Sequence, residues 1–439
     1  MGLRRPQCRG CRARARAARA HPASPPRARR ALRQGLTRIL GLSLLRLAEF
    51  RRLSAGMLLS SVGMMGEVVV LGWLALELTD SPFFVGLAMS ARALPLFFVG
   101  APAGVLADRV PRHQLLVATG VGQALATATL GSLTLAGQIT FTHLFLFTLA
   151  SGVLRGVEHA ARQSYTHDVA GAEGLVRGLA IQGLAMRCGW FAGSLGAGAI
   201  IAGLGPGPAY IGVGVAYLVG TLPLIGASPP ARTAPPERES LWRAVGEFID
   251  GVRKDRTLLV IMILTAGAEV LGFSHQALLP SLARDVLHTG PEGLGVLNGA
   301  RSVGGFVGLV ASMGGAPRGG GTLFLGILVS FGASVIALGL SPFLVGFGGV
   351  VMVLLVTNAA GAIADLLAQS LLQRSVPAHL RGRAGGAWVV AIGLAPLGQM
   401  QIGGLASLFG VSAALGASGL ALVALVAATA LAYPRLRRL

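Results

Sequence analysis

From about residue 53 onward the chain is a succession of apolar stretches, each near the length that crosses a bilayer. A membrane-spanning helix needs about 20 residues. Twelve stretches qualify: 53–77, 82–105, 114–136, 140–162, 175–203, 207–227, 257–280, 291–313, 321–341, 343–371, 384–409 and 411–433. The breaks between them carry turn residues, such as Thr79-Asp80-Ser81-Pro82, Gly205-Pro206-Gly207-Pro208 and Gly290-Pro291. Inside lipid the backbone must satisfy its own hydrogen bonds, which a helix does. A β-barrel would show alternating ten-residue strands, and these stretches do not alternate. The expected fold is therefore an all-α integral membrane protein. Only 12% of residues are charged, about half the share of a soluble domain. The 65 glycines lack a collagen period and suit close helix approach in lipid. A soluble enzyme, a disordered chain and a fibre are all excluded.

The net charge of +20 is concentrated outside the spans. With the N-terminus in the cytoplasm, the inner loops hold Arg109, Arg112, Arg162, Arg177, Arg318, Arg374, Arg381 and Arg383. Six more basic residues fall between 228 and 257, and Arg284 alone falls in an outer loop. This asymmetry predicts that both termini are cytoplasmic. Segment 1–48 is arginine-rich and reads as a disordered cytoplasmic extension. A nucleic-acid arm, a transit peptide or a tail on anionic lipid are the other readings of such a segment. It has no aromatic residue for base stacking, so no nucleic-acid partner is expected. Cys8 and Cys11 have the spacing of half a zinc site but no second half, so no metal is expected. Segment 228–256 starts Pro-rich and ends amphipathic, with Leu241, Trp242, Val245, Phe248, Ile249 and Val252 on one side. It reads as a cytoplasmic linker between a bundle at 49–227 and a second at 257–433, with a basic tail at 434–439.

The halves repeat. A shift of 209 residues lays the stretch from Gly86 over that from Gly295, with Gly, Ala-Arg and Phe coinciding. Between spans two and three runs Gly104-Val105-Leu106-Ala107-Asp108-Arg109-Val110-Pro111-Arg112-His113. This segment resembles the loop signature of the major facilitator superfamily. Gly104, Asp108, Arg109 and Arg112 are the residues that carry the likeness, and the resemblance implies a role for them in conformational change. Phe50-Arg51-Arg52-Leu53, Ala161-Arg162-Gln163-Ser164, Val376-Pro377-Ala378-His379-Leu380-Arg381-Gly382-Arg383 and Ala395-Pro396-Leu397-Gly398-Gln399 resemble the branch of enterobactin-exporter-like and transmembrane secretion effector proteins. The resemblance covers about 50–433 and implies two pseudo-symmetric six-helix bundles, alternating access, and proton-driven efflux of a drug or siderophore. Two features depart from it. The second-half loop, Gly314-Gly315-Ala316-Pro317-Arg318, has no acid, and Gly193-Ser194-Leu195-Gly196 has Ser where Pro is usual.

Ionisable groups inside a span are costly and so mark function. They are Glu67, Arg92, Arg155, Glu158, Arg187, Glu269, Arg301 and Asp365. Spans one, four, seven and ten each carry an acid, and the resemblance implies that these spans line the central pathway. Helical spacing also puts polar residues on one face: Thr148, Ser151, Arg155 and Glu158 in span four, Thr265, Glu269, Gly272 and Gln276 in span seven, and Asn358, Gly361 and Asp365 in span ten. Glu67 and Glu269 are the expected proton carriers, with Arg92 and Arg301 at similar depth in the following spans. Arg155 and Glu158, three residues apart, are placed to pair with each other. No phosphate loop, cofactor motif or catalytic constellation is present, so an enzyme is not expected. The expected protein is a monomeric, multi-pass transporter of the cell membrane, exporting a small amphipathic molecule coupled to protons. An uptake symporter, or a non-transporting partner docking through its basic tail, are the alternatives.

Overall fold

The computed structural model of the chain describes residues 44–226, 256–312, 320–374, 391 and 393–438. The first half contains α1 (Ala48–Thr79), α2 (Pro82–Arg109) and α3 (Arg112–Leu135), then the long stretch Phe141–Leu204. Gly171 breaks that stretch with φ 68° and ψ 170°, giving α4 (141–170) and α5 (172–204). The half closes with α6 (Pro206–Thr221). The second half contains α7 (Arg256–Val286), α8 (Gly290–Ser312), α9 (Gly320–Leu344), α10 (Gly346–Arg374), α11 (Ala395–Phe409) and α12 (Val411–Ala432). Among the described residues, nine helical spans are long and apolar enough to cross a membrane. Proline in the first turn starts α2, α6 and α11, where its missing N–H is harmless. Side chains such as Leu204, Phe343 and Leu408 are more than two-thirds exposed, as befits helices whose outer faces meet hydrocarbon. The extension up to residue 43, nearly all of the expected linker, the 313–319 loop and the 376–383 motif lie outside the described residues.

The internal repeat reaches down to backbone angles. Asp80 and His288 both have φ 51° in the turns after α1 and α7. Gly137 and Gly346 have φ 67° and 63° before α4 and α10. Gly205 and Gly410, at φ 87° and 86° with ψ 174° and 160°, hold the turns before α6 and α12. That last conformation is open essentially to glycine alone. All three pairs of turns lie at one end of the molecule, the end that charge asymmetry assigns to the outside.

The two bundles meet mainly through α2 against α11 and α5 against α8. Glycines set the approach. A side chain at Gly86 would run into the backbone carbonyl of Gln399, and one at Gly198 would sit 2.7 Å from the Pro291 carbonyl. Ser90 Oγ donates to the Pro396 carbonyl at 2.7 Å. At the rim, Arg284 of α7 pairs with Asp80 and donates to the Leu76 carbonyl at 3.2 Å. These contacts hold the outer-turn end shut.

α7 is not the uniform helix that the hydropathy pattern predicts. It runs as α-helix to Gly267, widens to a π turn over Ala268–Gly272, tightens to 3₁₀ over Phe273–Leu278, and ends in a second π turn over Leu282–Val286. Pro280 has no N–H to return to the preceding turn, and Gly267 and Gly272 remove side chains that would stiffen the segment. Single π turns of this kind gather at functional positions.

Candidate functional site

Each half of the molecule buries its own charged cluster. In the first, Glu67 of α1 is 3% exposed. Its carboxylate accepts from Ser151 Oγ at 2.7 Å, Tyr217 Oη at 2.6 Å and Arg155 Nη2 at 3.2 Å. Arg92 Nε lies 3.8 Å away, and Arg92 Nη2 donates to the Met64 carbonyl at 3.2 Å. Arg155 also donates to Tyr217 Oη at 2.9 Å. Four helices thus converge on one carboxylate. In a low dielectric such charge-assisted bonds offset the cost of burying the charges, and here the carboxylate is satisfied while the Nε of Arg92 and of Arg155 make no hydrogen bond.

The expected Arg155–Glu158 pair is not formed. Arg155 turns to Glu67 and Tyr217 instead. Glu158 accepts from Arg162 at 2.6 Å, one helical turn away, and from Gln123 of α3 at 3.2 Å.

The second half is organised differently. Its charged groups face a cavity of about 410 Å³ between the bundles, lined among others by Glu269, Asp365, Arg187 and Arg301. Glu269 sits in the π turn of α7, and no side chain hydrogen-bonds to it among the described residues. Asp365 of α10 is its charged neighbour. Asp365 is also within Coulombic range of Arg187 of α5, whose guanidinium fills the space left by Gly305 of α8. Arg301 does not mirror Arg92. It donates to Asn298 Oδ1 and Gln276 Oε1, both at 2.7 Å, rather than to a carboxylate. His275, fully buried behind this wall, contacts the Gly272 carbonyl at 2.7 Å through Nδ1.

A smaller cavity of about 160 Å³ adjoins the first and shares Trp190, Gln276, Arg301 and Gln399 with it. Its remaining wall includes Arg92, Met64, Met65 and Met89.

Of the loop signature, Gly104 and Asp108 are described by their helical backbone alone. Arg109 is exposed. Arg112 ties the start of α3 to the end of α4, pairing with Asp168 and donating to the Ser164 carbonyl at 3.4 Å. Nearby, Tyr165 donates to Glu49 at 3.4 Å, and burial together with that carboxylate pushes its hydroxyl up to about 12. No group of three or more His, Cys, Asp or Glu residues is placed to hold a metal among the described residues. Cys8 and Cys11 lie outside them.

Sequence reasoning missed Tyr217, Trp190 and Phe273 as site residues. Tyr217 had a signal: a phenol in an apolar span needs a partner for its hydroxyl. Trp190 and Phe273 had none, because an aromatic residue in a span also reads as packing.

Comparison with known proteins agrees with this architecture. The family described as transmembrane secretion effector matches residues 40–438. The staphyloferrin A transporter of Staphylococcus aureus (strain NCTC 8325 / PS 47) is 21% identical over 345 residues, covering 78% of this chain and 85% of that protein. Among solved structures, the nucleoside transporter NupG superposes with a TM-score of 0.71 at 14% identity, over 88% of this chain and 99% of that one. The peptide transporter POT in complex with sulfate gives 0.72 at 14%, over 89% and 95%. A bacterial homologue of the human lysosomal transporter Spinster, inward-facing and unoccupied, gives 0.63 at 15%, over 89% and 96%.

Proposed function

Since the chain belongs to the transmembrane secretion effector family of the major facilitator superfamily, multi-pass membrane transporters and not enzymes, we propose that it exports a small amphipathic molecule, a drug or a siderophore, in exchange for protons. The staphyloferrin A transporter among its relatives supports a siderophore-like cargo. The cell membrane, with both termini in the cytoplasm, is the location this reading requires.

One observation carries the proton coupling. Glu269 is a carboxylate on an irregular stretch of α7, facing the cavity between the bundles without a hydrogen-bond partner among the described residues. A carboxylate so placed changes protonation state when the water around it changes sides. Asp365 lies beside it in the lining of the same cavity. Closure at the outer-turn end leaves the opposite end as the route for loading in this state. Rocking of the bundles about the α2–α11 and α5–α8 crossings then exchanges access.

The test is transport by the purified full chain in vesicles with an imposed proton gradient. Compounds should move against their own gradient in the wild type. Glu269→Gln fixes the neutral form at nearly constant size. It should abolish gradient-driven accumulation while leaving exchange of labelled for unlabelled substrate. Accumulation with unchanged pH dependence in Glu269→Gln would remove Glu269 from the coupling step. Accumulation in the opposite direction would make the protein an uptake symporter.

A further inference from the structure

The smaller cavity has an unusual lining. Two guanidinium groups, Arg92 and Arg301, border it, and no acid does among the described residues. Arg92 has its carboxylate, Glu67, behind the wall. Arg301 has none. Its two hydrogen-bond acceptors are the neutral amides of Asn298 and Gln276. Its Nε is buried and without a hydrogen-bond partner, as are those of Arg92, Arg155 and Arg187. The charged groups that reach it, Arg187 and Arg92, are both cations. A buried guanidinium with a spare donor, neutral anchors and like charges around it is a site for an anion. Asn298 and Gln276 hold its plane in place beside the cavity.

The rest of the wall says what the anion is attached to. Met64, Met65, Val68 and Met89 offer a soft, polarisable apolar surface, and Trp190 adds an aromatic face. In the adjoining cavity, which Arg301 also lines, Phe273 supplies a second ring, and Asp365 faces Arg187.

Resting on the transport reading above, we propose that Arg301 is the substrate-recognition residue and that the cargo carries carboxylate on an apolar or aromatic frame. A planar guanidinium matches a carboxylate with paired N–H donors, which an ammonium cannot do. The frame lies on the methionines and Trp190 while the carboxylate meets Arg301.

The experiment is calorimetric binding to the full chain in lipid nanodiscs without any ion gradient, so that failure of coupling does not affect it. The probes share one ring: benzoate, isophthalate, benzene-1,3,5-tricarboxylate and the cation phenyltrimethylammonium. Affinity should rise along the carboxylate series and fall with added salt, and the tricarboxylate should bind at least about tenfold more tightly than the cation. Arg301→Met should weaken the tricarboxylate by about tenfold or more, roughly 1.4 kcal/mol. Arg301→Lys should recover part of the loss, and Gln276→Leu, which frees the guanidinium from its anchor, should weaken binding without removing the charge. Preference for the cation, no saturable binding of any carboxylate at millimolar concentration, or equal tricarboxylate binding by a folded Arg301→Met would each overturn the proposal. Carboxylate binding alongside absent gradient-driven movement would sink the transport reading and leave this site standing.

Discussion

Glu67 and Glu269 occupy corresponding helices of the two halves, yet their surroundings differ. Glu67 is the hub of a network with three hydrogen-bond donors and two arginines. Glu67→Gln removes the counter-charge of Arg92 and Arg155 and offers a second set of donors where acceptors are needed. Breaking a buried pair in this way costs about 3–5 kcal/mol, so the variant should unfold at a markedly lower temperature or fail to accumulate. Tyr217→Phe deletes two charge-assisted bonds, one to Glu67 and one from Arg155, and should cost at least about 1.5–3 kcal/mol. Glu269→Gln should leave the unfolding temperature within about two degrees of the wild type, since the loss is under roughly 0.5 kcal/mol at a site with no bond to break. Thermal unfolding of the three variants in nanodiscs checks the ranking, and equal losses at Glu67 and Glu269 would contradict it. The acids themselves were legible because a carboxylate is expensive in an apolar span. Their partners were not. Arg155 had Glu158 within one turn, and only the packing of α1, α4 and α6 reveals that Glu67 and Tyr217 outcompete it.

At the scale of the element, helix count and turn positions were readable from apolar length and from glycine and proline in the breaks. The two features that matter most for the site were not. Hydropathy is blind to the π and 3₁₀ turns of α7, because they preserve composition and change only which carbonyl each N–H meets. It is equally blind to which helices cross, because that depends on where small residues from distant spans come face to face. The crossing of α2 and α11 can be tested directly. Gly86 faces the Gln399 carbonyl with no room for a side chain. Overpacking at such a contact costs about 1–3 kcal/mol. Gly86→Leu should therefore part the bundles at the outer-turn end and shift the closed state by roughly five- to more than hundredfold towards open, using 1.4 kcal/mol per tenfold. Spin labels at Glu77→Cys and Phe409→Cys, both exposed positions on opposite bundles, would report the change as a longer distance. An unchanged distance distribution would show that the crossing does not hold that end closed.

For the whole molecule, the sequence repeat at a shift of 209 residues was faint, but the backbone repeat is plain: three turns per half share their left-handed residues. All three sit at the end that charge asymmetry assigns to the outside. With Cys8, Cys11 and Cys188 replaced by Ser, Gln138→Cys in one of those turns should react with an impermeant maleimide on intact cells, and Arg435→Cys in the tail should react only after permeabilisation. The reverse pattern would invert the topology. The contact of α11 with α2 has one more consequence. Residues 395–399 give their carbonyls to the neighbouring bundle, through Pro396 to Ser90 and through Gln399 to Gly86, while Pro396 and Gln399 also border the cavity. Gating reads the main chain, which every amino acid supplies, and the cavity reads the side chain, which mutation changes. Evolution can therefore redraw the chemistry of this wall one codon at a time, at Gln399 for example, and acquire a new cargo without having to reinvent the hinge.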